Sequence, residues 1–532
     1  GMMLCGYLAE KIGWSWGFGL AGIFMLLGTL QFWLSKPLFG LIGEIPSKIK
    51  KQREGSNNTA EIKEEKNQNP FTKIDIVLII ITATIGLLYL LNDPISKIGG
   101  FDMFPFEILG LKGYIWVVGS GLILFISLVI SRIVRYEKIV RDRMIAFVIF
   151  AFFTVFFWLS FEQGATSLVL FARDSVNRVM MGNNAIIYNI VNALLTIVPL
   201  AIITWVLFLL WKRTFKKIPG SNIVLVICFA GLWGIVGWML NRDFNTKAYQ
   251  ATYSSYQGEA VMNNKTKTQE VDANGNLIFK HIPITENLEV PLTAIMLIDS
   301  TSIGDEKNFK VGDKIAMIHK NNEKTKYEYL NDKELARVRK NGIDLGVDNG
   351  IVMATISRIK KNEVTITVSW FSILNSFFII AFASLFSKWW ESKYNPSAVG
   401  KYALGLIIMA IGFGLLAYGS AGMKDGAKVS MMWLVFAYLF HTLGELCLSP
   451  VGLSYVSKLV PARMIAFMFG MWYLAIAIGN KLAAILGGKI EKITEEYSLS
   501  VFFLIFTVVP LVAGLLILVL GPLMKKLMHG VK

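Results

Sequence analysis

The sequence predicts an all-α polytopic membrane protein into which a small, mostly β, domain is inserted. Three observations carry that prediction. Of 532 residues 54% are hydrophobic and only 17% charged, whereas soluble globular chains carry about 25% charged residues. Eleven apolar stretches reach the length that crosses about 30 Å of hydrocarbon. They run continuously instead of alternating, which suits helices that satisfy their own backbones in lipid and excludes barrel strands. The third observation is a long polar stretch, 241–367, rich in strand-like runs.

In chain order the apolar stretches are 17–34, 74–91, 113–131, 144–172, 184–211, 221–240, 368–387, 402–419, 431–455, 464–486 and 500–524. The chain therefore divides at 1–35, a linker at 36–73, a helix pair within 74–143, a span at 144–183, a second pair at 184–240, the β-rich domain at 241–367 and a block of helices at 368–532. Within the linker, Glu54–Pro70 is nearly devoid of apolar residues and reads as disordered. The inserted domain shows a turn at Asp272–Asn276 and strand-like runs at Leu277–Ile284, Val290–Ile298, Val311–His319, Ile351–Ile356 and Val364–Trp370. The chain opens Gly1-Met2-Met3 without a charged signal region, and only the tail of a helix precedes Glu10, so further helices are expected upstream.

Lys and Arg number 53 against 37 Asp and Glu, a net charge of +16. In a membrane protein this excess marks cytoplasmic loops beside anionic lipid, which makes nucleic acid a poor partner. Alternate short loops carry 25 and 9 basic residues. The positive-inside rule then puts the C-terminus in the cytoplasm and 241–367 outside. Cys5, Cys228 and Cys447 are far apart and define neither a disulfide framework nor a metal spacing. His281 and His319 are isolated in sequence, and no nucleophile, phosphate loop or metal cluster points to an enzyme.

Ionisable residues inside a membrane are costly, about 2.5–3.5 kcal/mol for a central charge on an insertion scale, so they mark function by default. Away from the span edges the sequence has four: Glu162, His441, Glu445 and Lys481. Glu162, deep in its apolar stretch beside Gln163, reads as a cavity-facing carboxylate, with a fixed structural ion pair as the alternative. His441 and Glu445 are spaced i, i+4 and share one helix face, with Ser449 a turn further on and the kink-prone Pro450 next. Without other ligands nearby this pair does not suggest zinc. Glu445 suits proton uptake or the gripping of an ammonium group, while His441 alone fits a packing role. Lys481 lies near a helix end where it can snorkel. Asn375, Asn480, Trp472 and Tyr473 serve equally well as helix-to-helix packing or as substrate contacts.

Several blocks resemble the proton-dependent oligopeptide transporter family. Gly6-Tyr7-Leu8-Ala9-Glu10-Lys11-Ile12-Gly13-Trp14 with Gly17–Gly22 is similar to the junction of its fifth and sixth helices, and Phe157-Trp158 with Phe161-Glu162-Gln163 to its seventh. Ser372-Ile373-Leu374-Asn375 looks like the eighth, and Met471-Trp472-Tyr473-Leu474 with Gly479-Asn480 like the eleventh. Gly444-Glu445-Leu446-Cys447-Leu448-Ser449-Pro450-Val451-Gly452-Leu453-Ser454 resembles the tenth and is the most specific signal in the chain.

The resemblance implies a major facilitator superfamily fold, partial because the N-terminal bundle is largely missing, with 74–143 as the extra pair of bacterial members and 184–367 as an insertion. It implies proton-coupled symport of di- and tripeptides by alternating access, with a proton gradient and no cofactor, in a bacterial cytoplasmic (inner) membrane. Carried over by position, Glu445 grips the peptide amino terminus, Asn375 its backbone or carboxylate, and Trp472, Ser449 and Trp158 wall the site. Glu162 is the gating or proton-linked carboxylate. Two departures stand out: Ser376 where the family commonly has proline, and the charged Lys481 after Asn480. Other readings are a symporter of an amino acid or nitrate, or a membrane-anchored binding module acting through 241–367.

Overall fold

The structure, a computed structural model, describes residues 2–39, 69–260, 269, 277, 279–305, 307–319, 327–345, 348–360, 363–423 and 427–531. Most of the linker Glu54–Pro70 and the turn Asp272–Asn276 lie outside the described residues. Among the described residues, eleven helical segments are long and apolar enough to cross a membrane, one for each apolar stretch read above. We number the longer helices α1 (Met2–Lys11), α2 (Trp14–Leu34), α3 (Lys73–Gly99), α4 (Gly113–Val134), α5 (Lys138–Phe161), α6 (Ser167–Asp174), α7 (Asn183–Thr214) and α8 (Pro219–Asn245). The series continues with α9 (Asp332–Leu345), α10 (Ile373–Glu391), α11 (Ala398–Gly419), α12 (Met431–Leu459), α13 (Ile465–Gly487) and α14 (Leu499–Val519).

The helical core forms where small and aromatic residues alternate on facing helices. Gly405 of α11 and Gly444 of α12 approach so closely that a Cβ on either would meet the other's carbonyl oxygen, at 2.9 and 2.7 Å. In lipid this close approach replaces the hydrophobic driving force. Phe147, Phe150, Phe157, Phe413, Phe502, Phe503 and Phe506 fill the interior, each 1% exposed or less. The stretch 144–172 is not one helix, however. It breaks at a 3₁₀ turn, Glu162–Ala165, between α5 and α6, so Glu162 caps the end of α5 and does not lie deep within it.

Helix α3 begins at a capping box in which Thr72 accepts from the Asp75 amide while Asp75 accepts from the Thr72 amide. The same Asp75 carboxylate, 1% exposed, also takes two hydrogen bonds from Arg135 (2.8 and 3.0 Å) and one from the fully buried Arg132 (3.3 Å). Arg132 further donates to the carbonyls of Asn69 and Pro70 and lies 4.2 Å over the Phe71 ring. This clamp ties the start of α3 to the end of α4.

The inserted domain is a six-stranded antiparallel sheet built on the fourteen-residue β2 (Lys247–Ala260). Strand β1 (Val179–Met181) precedes it in the chain; β3 (Phe279–Pro283), β4 (Met296–Asp305), β5 (Lys314–His319), β6 (Tyr327–Tyr329), β7 (Ile351–Lys360) and β8 (Glu363–Thr365) follow. β2 pairs with β3, β4 and β7, and β7 continues through β5 to β6. Tyr249, Ala251, Ile303, Met317, Val352 and Ile356 form its core.

Several runs shift from their sequence reading. The run Val290–Ile298 contains Pro291, which cannot donate to a ladder, and the strand starts only at Met296 and extends to Asp305. Val311–His319 starts late because Gly312 turns the chain at φ +97°. In Val364–Trp370 only the beginning is strand, pairing with β1, and Val368–Phe371 is a helical turn. The domain also begins later than 241, since α8 runs to Asn245, and it includes the helix α9. His281 and His319, isolated in sequence, have neighbours: His281 lies 2.8 Å from Asp299 and His319 stacks on Tyr327.

Two outcomes follow. Asp75→Ala strands a buried guanidinium, so it should cost about 3–5 kcal/mol and lower the thermal midpoint in detergent, while Asp75→Leu combined with Arg132→Met should cost less than the sum of the single changes. In the sheet domain, burial pushes Asp299 up but hydrogen bonds from Ser255 and His281 outweigh it, and the Arg339 hydrogen bond holds Glu286 down. Both carboxyls therefore sit below their ordinary values, and the stability they contribute is present above about pH 4 and lost as the pH falls through the lowered values. The double variant Glu286→Gln/Asp299→Asn lacks that contribution, so its acid unfolding followed by near-UV dichroism should have its midpoint at a higher pH than that of wild type.

Candidate functional site

The site is a cavity of about 2000 Å³ between the helices and the sheet domain. Glu162, Asn375, His441 and Glu445 all line it. Each is brought there by a different local cause.

Glu162 points into the cavity because the helix stops there. Opening a helix inside a membrane frees backbone carbonyls that lipid cannot satisfy. Gln163, fully buried, answers this: its amide donates to Leu159 O (3.2 Å) and to Ala483 O of α13 (3.1 Å), while its carbonyl accepts from Ser167 and Thr166. Tyr438 of α12 donates to Gly164 O at 3.1 Å and locks the turn from the other side. A single turn thus faces one residue to the cavity and its neighbour to the protein.

On α12 the i, i+4 pair does share the cavity face. Asn375, on α10, donates through Nδ2 to Glu445 Oε2 at 3.2 Å. His441 is 2% exposed, with the Phe413 ring 4.4 Å from its own, and sits where Gly412 leaves room: a Cβ there would lie 3.0 Å from the imidazole. Neither His441 Nε2 nor Asn375 Oδ1 has a hydrogen-bond partner among the described residues. The local break of the α10 segment falls at Ser372, between Val368–Phe371 and α10, one turn before Ser376.

The other residues singled out from sequence lie elsewhere. Trp472 is 2% exposed and packs 5.7 Å from Phe147, in a space that Gly452 keeps open: a Cβ on Gly452 would run into the indole. Ser449 has a buried hydroxyl without a partner among the described residues. Trp158 packs against Phe161 and the close approach of Gly479. None of the three is among the described residues lining the cavity. Lys481 pairs with Asp93 of α3 at 3.4 Å, which gives that unexpected charge a partner.

Sequence reasoning missed Tyr438, Glu10 and Arg178. Tyr438 lies one turn before His441 on the same stripe, which was a usable signal. Glu10 accepts from the Ser369 amide at 3.2 Å and joins α1 to the entry of α10. Arg178, 3% exposed, donates to Ile366 O at 2.6 Å and fixes the sheet domain to the loop after α6. Its partner is a backbone carbonyl far along the chain, which no local pattern reveals. No group of three or more His, Cys, Asp and Glu residues able to hold a metal occurs among the described residues.

A polytopic helical membrane protein with a polar, carboxylate-bearing cavity is the class these features define. The sequence profile of the POT family matches residues 1–65 and 351–504. An uncharacterized transporter, YclF, of Bacillus subtilis strain 168 is 37% identical over 176 residues, 33% of this chain and 35% of that protein. The peptide transporter YePEPT of Yersinia enterocolitica is 35% identical over 30% of this chain and 32% of its own. A di-/tripeptide transporter of Lactococcus lactis subsp. cremoris is 28% identical over 31% and 33%. The chain thus spans about a third of the length of the curated relatives it matches. Among solved structures, a peptide transporter POT in complex with sulfate overlays with a TM-score of 0.47 at 19% identity, covering 99% of this chain and 65% of that one.

The geometry separates wall from backing. Trp472→Ala should behave as a core truncation, costing about 3–5 kcal/mol and lowering the thermal midpoint. Asn375→Ala, which empties space beside an open cavity, should cost about 1 kcal/mol. Equal losses in a thermal-shift series would contradict the placement.

Proposed function

We propose that the protein containing this chain is a proton-coupled symporter of di- and tripeptides that works by alternating access. The observation that carries this reading is the Glu445–Asn375 pair: an acidic side chain, oriented by an amide and facing a cavity shared with Glu162, on the helix block Gly444–Ser454 that lies within the family match. A peptide presents an ammonium group, a planar amide and a carboxylate. Glu445 grips the ammonium, and Asn375, whose carbonyl oxygen is uncommitted, hydrogen-bonds the peptide backbone. Glu162 sits at a turn instead of inside a rigid helix, which suits a carboxylate that gains and loses a proton while its surroundings rearrange.

For Trp472, Ser449 and Trp158 the proposal is that they back the wall and set its shape, without touching cargo in the arrangement described. The driving force is a proton gradient and no cofactor takes part; the family supplies transporters, and we assign the chain no enzymatic role. The membrane is a bacterial cytoplasmic one, with the C-terminus inside and 241–367 outside, a reading supported by the Lys and Arg asymmetry of the short loops. Symport of an amino acid uses the same ammonium site, whereas nitrate, an anion, finds no reason to approach Glu445.

The test is pH-gradient-driven uptake of labelled dialanine by the complete gene product in proteoliposomes. Glu445→Gln should lower uptake about thirtyfold or more, as expected for loss of a desolvated charge partner worth about 2–5 kcal/mol. Glu162→Gln should abolish gradient-driven accumulation while leaving peptide counterflow measurable. Acetylated dialanine should fail to compete. Correctly inserted wild-type protein that accumulates no dipeptide would overturn the assignment.

A further inference from the structure

The inserted domain does not hang free of the helices. β8 pairs with β1 through Glu363–Met181, Val364–Met180 and Thr365–Val179, and the buried Arg178 ties the same junction to Ile366. Residues of the domain consequently form part of the wall of the cavity that holds Glu162 and Glu445.

The composition of that wall departs from the rest of the chain. The protein carries a net charge of +16, yet the cavity is lined by nine carboxylate side chains against six lysines and arginines. The sheet domain contributes five of the carboxylates, Asp305, Glu328, Asp332, Glu334 and Glu363, against only Lys307 and Arg337. A cleft lined mainly by one sign of charge, with low-dielectric walls beneath, concentrates the opposite sign and raises its rate of entry. An independent feature points to a ligand rich in polar hydrogens: His441, 2% exposed, faces this cavity with Nε2 unpartnered among the described residues.

We propose that the inserted sheet domain is the outer selectivity wall of the cavity and favours cationic over acidic cargo. Glu328, Asp332 and Glu334 are the determinants, brought into the lining by β6 and the first turn of α9. Cargo with an extra positive charge is drawn past this wall toward Glu445, and cargo with an extra negative charge is repelled. The inference rests on the peptide reading above and adds what that reading leaves open, the charge class of the preferred cargo and the task of the insertion.

The experiment is equilibrium binding of lysyl-alanine, dialanine and aspartyl-alanine to the complete gene product in detergent at low and high salt. Wild type should prefer lysyl-alanine to aspartyl-alanine about tenfold or more at low salt, and the ratio should shrink as screening increases. The isosteric triple variant Glu328→Gln/Asp332→Asn/Glu334→Gln should reduce the ratio at least about threefold. Glu286→Gln, in the same domain but outside the wall, should leave it unchanged. A wild-type ratio near one, or a ratio indifferent to salt, would overturn the proposal even if the triple variant failed to fold. Dialanine binding with an unaltered ratio in a folded triple variant would overturn it while sparing the peptide reading. Absence of binding by all three dipeptides would overturn both.

Discussion

The arrangement depends on one residue's ability to pay the debt of a broken helix in lipid. A transmembrane helix that stops at Phe161 and restarts at Ser167 leaves carbonyls and amides without partners. Gln163 donates to the carbonyls of Leu159 and Ala483 and accepts from the hydroxyls of Ser167 and Thr166, so its side chain ties the two ends of the break to each other and to α13. Only because that turn is fixed does Glu162 face the cavity. Tyr438, bonded to Gly164, then brings the α12 stripe with His441 and Glu445 to the same space.

The legible part of this protein was what lipid imposes. Continuous apolar stretches gave each spanning segment, because a helix that must satisfy its backbone in hydrocarbon has little freedom in length. Among the site residues, the i, i+4 spacing of His441 and Glu445 showed their shared face, since helical geometry alone decides it. The proximity of Asn375 to Glu445 was not derivable from spacing, because it depends on how α10 packs on α12; the family resemblance assigned both to the cargo site but not to each other. Trp472 and Ser449 show the reverse limit. Ser449 lies on α12, which borders the cavity, and Trp472 on α13, which contributes no lining residue among those described; Trp472 fills the space that Gly452 keeps open, a packing fact that spacing does not reveal.

The inserted domain was the least legible. Its central strand β2 mixes three tyrosines with serine, glutamine and glycine, so no β-branched run announces it, and it is a strand because partners flank it. α9 is polar in overall composition, and its short apolar stripe, Leu335 and Val338, packs against Ala316, Leu330 and Ile351. Water gives a chain more ways to satisfy its backbone than lipid does, and sequence rules lose force accordingly.

The two accessory helix pairs dock by a common physical recipe. Between helices in lipid there is no hydrophobic driving force, so polar contacts near the membrane edges decide where a helix settles. α3 and α4 lie against α13 with a polar contact near each end: the ion pair Lys481–Asp93 at one, and at the other Arg132, held by the Asp75 clamp within the pair, which donates to Met464 Sδ at 3.7 Å just before α13. Phe71 and Phe125 close on Phe467 near the clamp. α8 lies against α1 and α2 in the same way, with Tyr7 donating to Asp243 at one end and Gln31, Ser35 and Ser221 hydrogen-bonded together at the other. The first pair therefore belongs with α13 and the second with α1 and α2. The sheet domain, entering from α8 and leaving into α10, joins the second side to the helix that carries Asn375. The sheet's charged wall and its strand pairing to β1 thus lie on the stretch of chain that links the α2 side to the helix carrying Asn375.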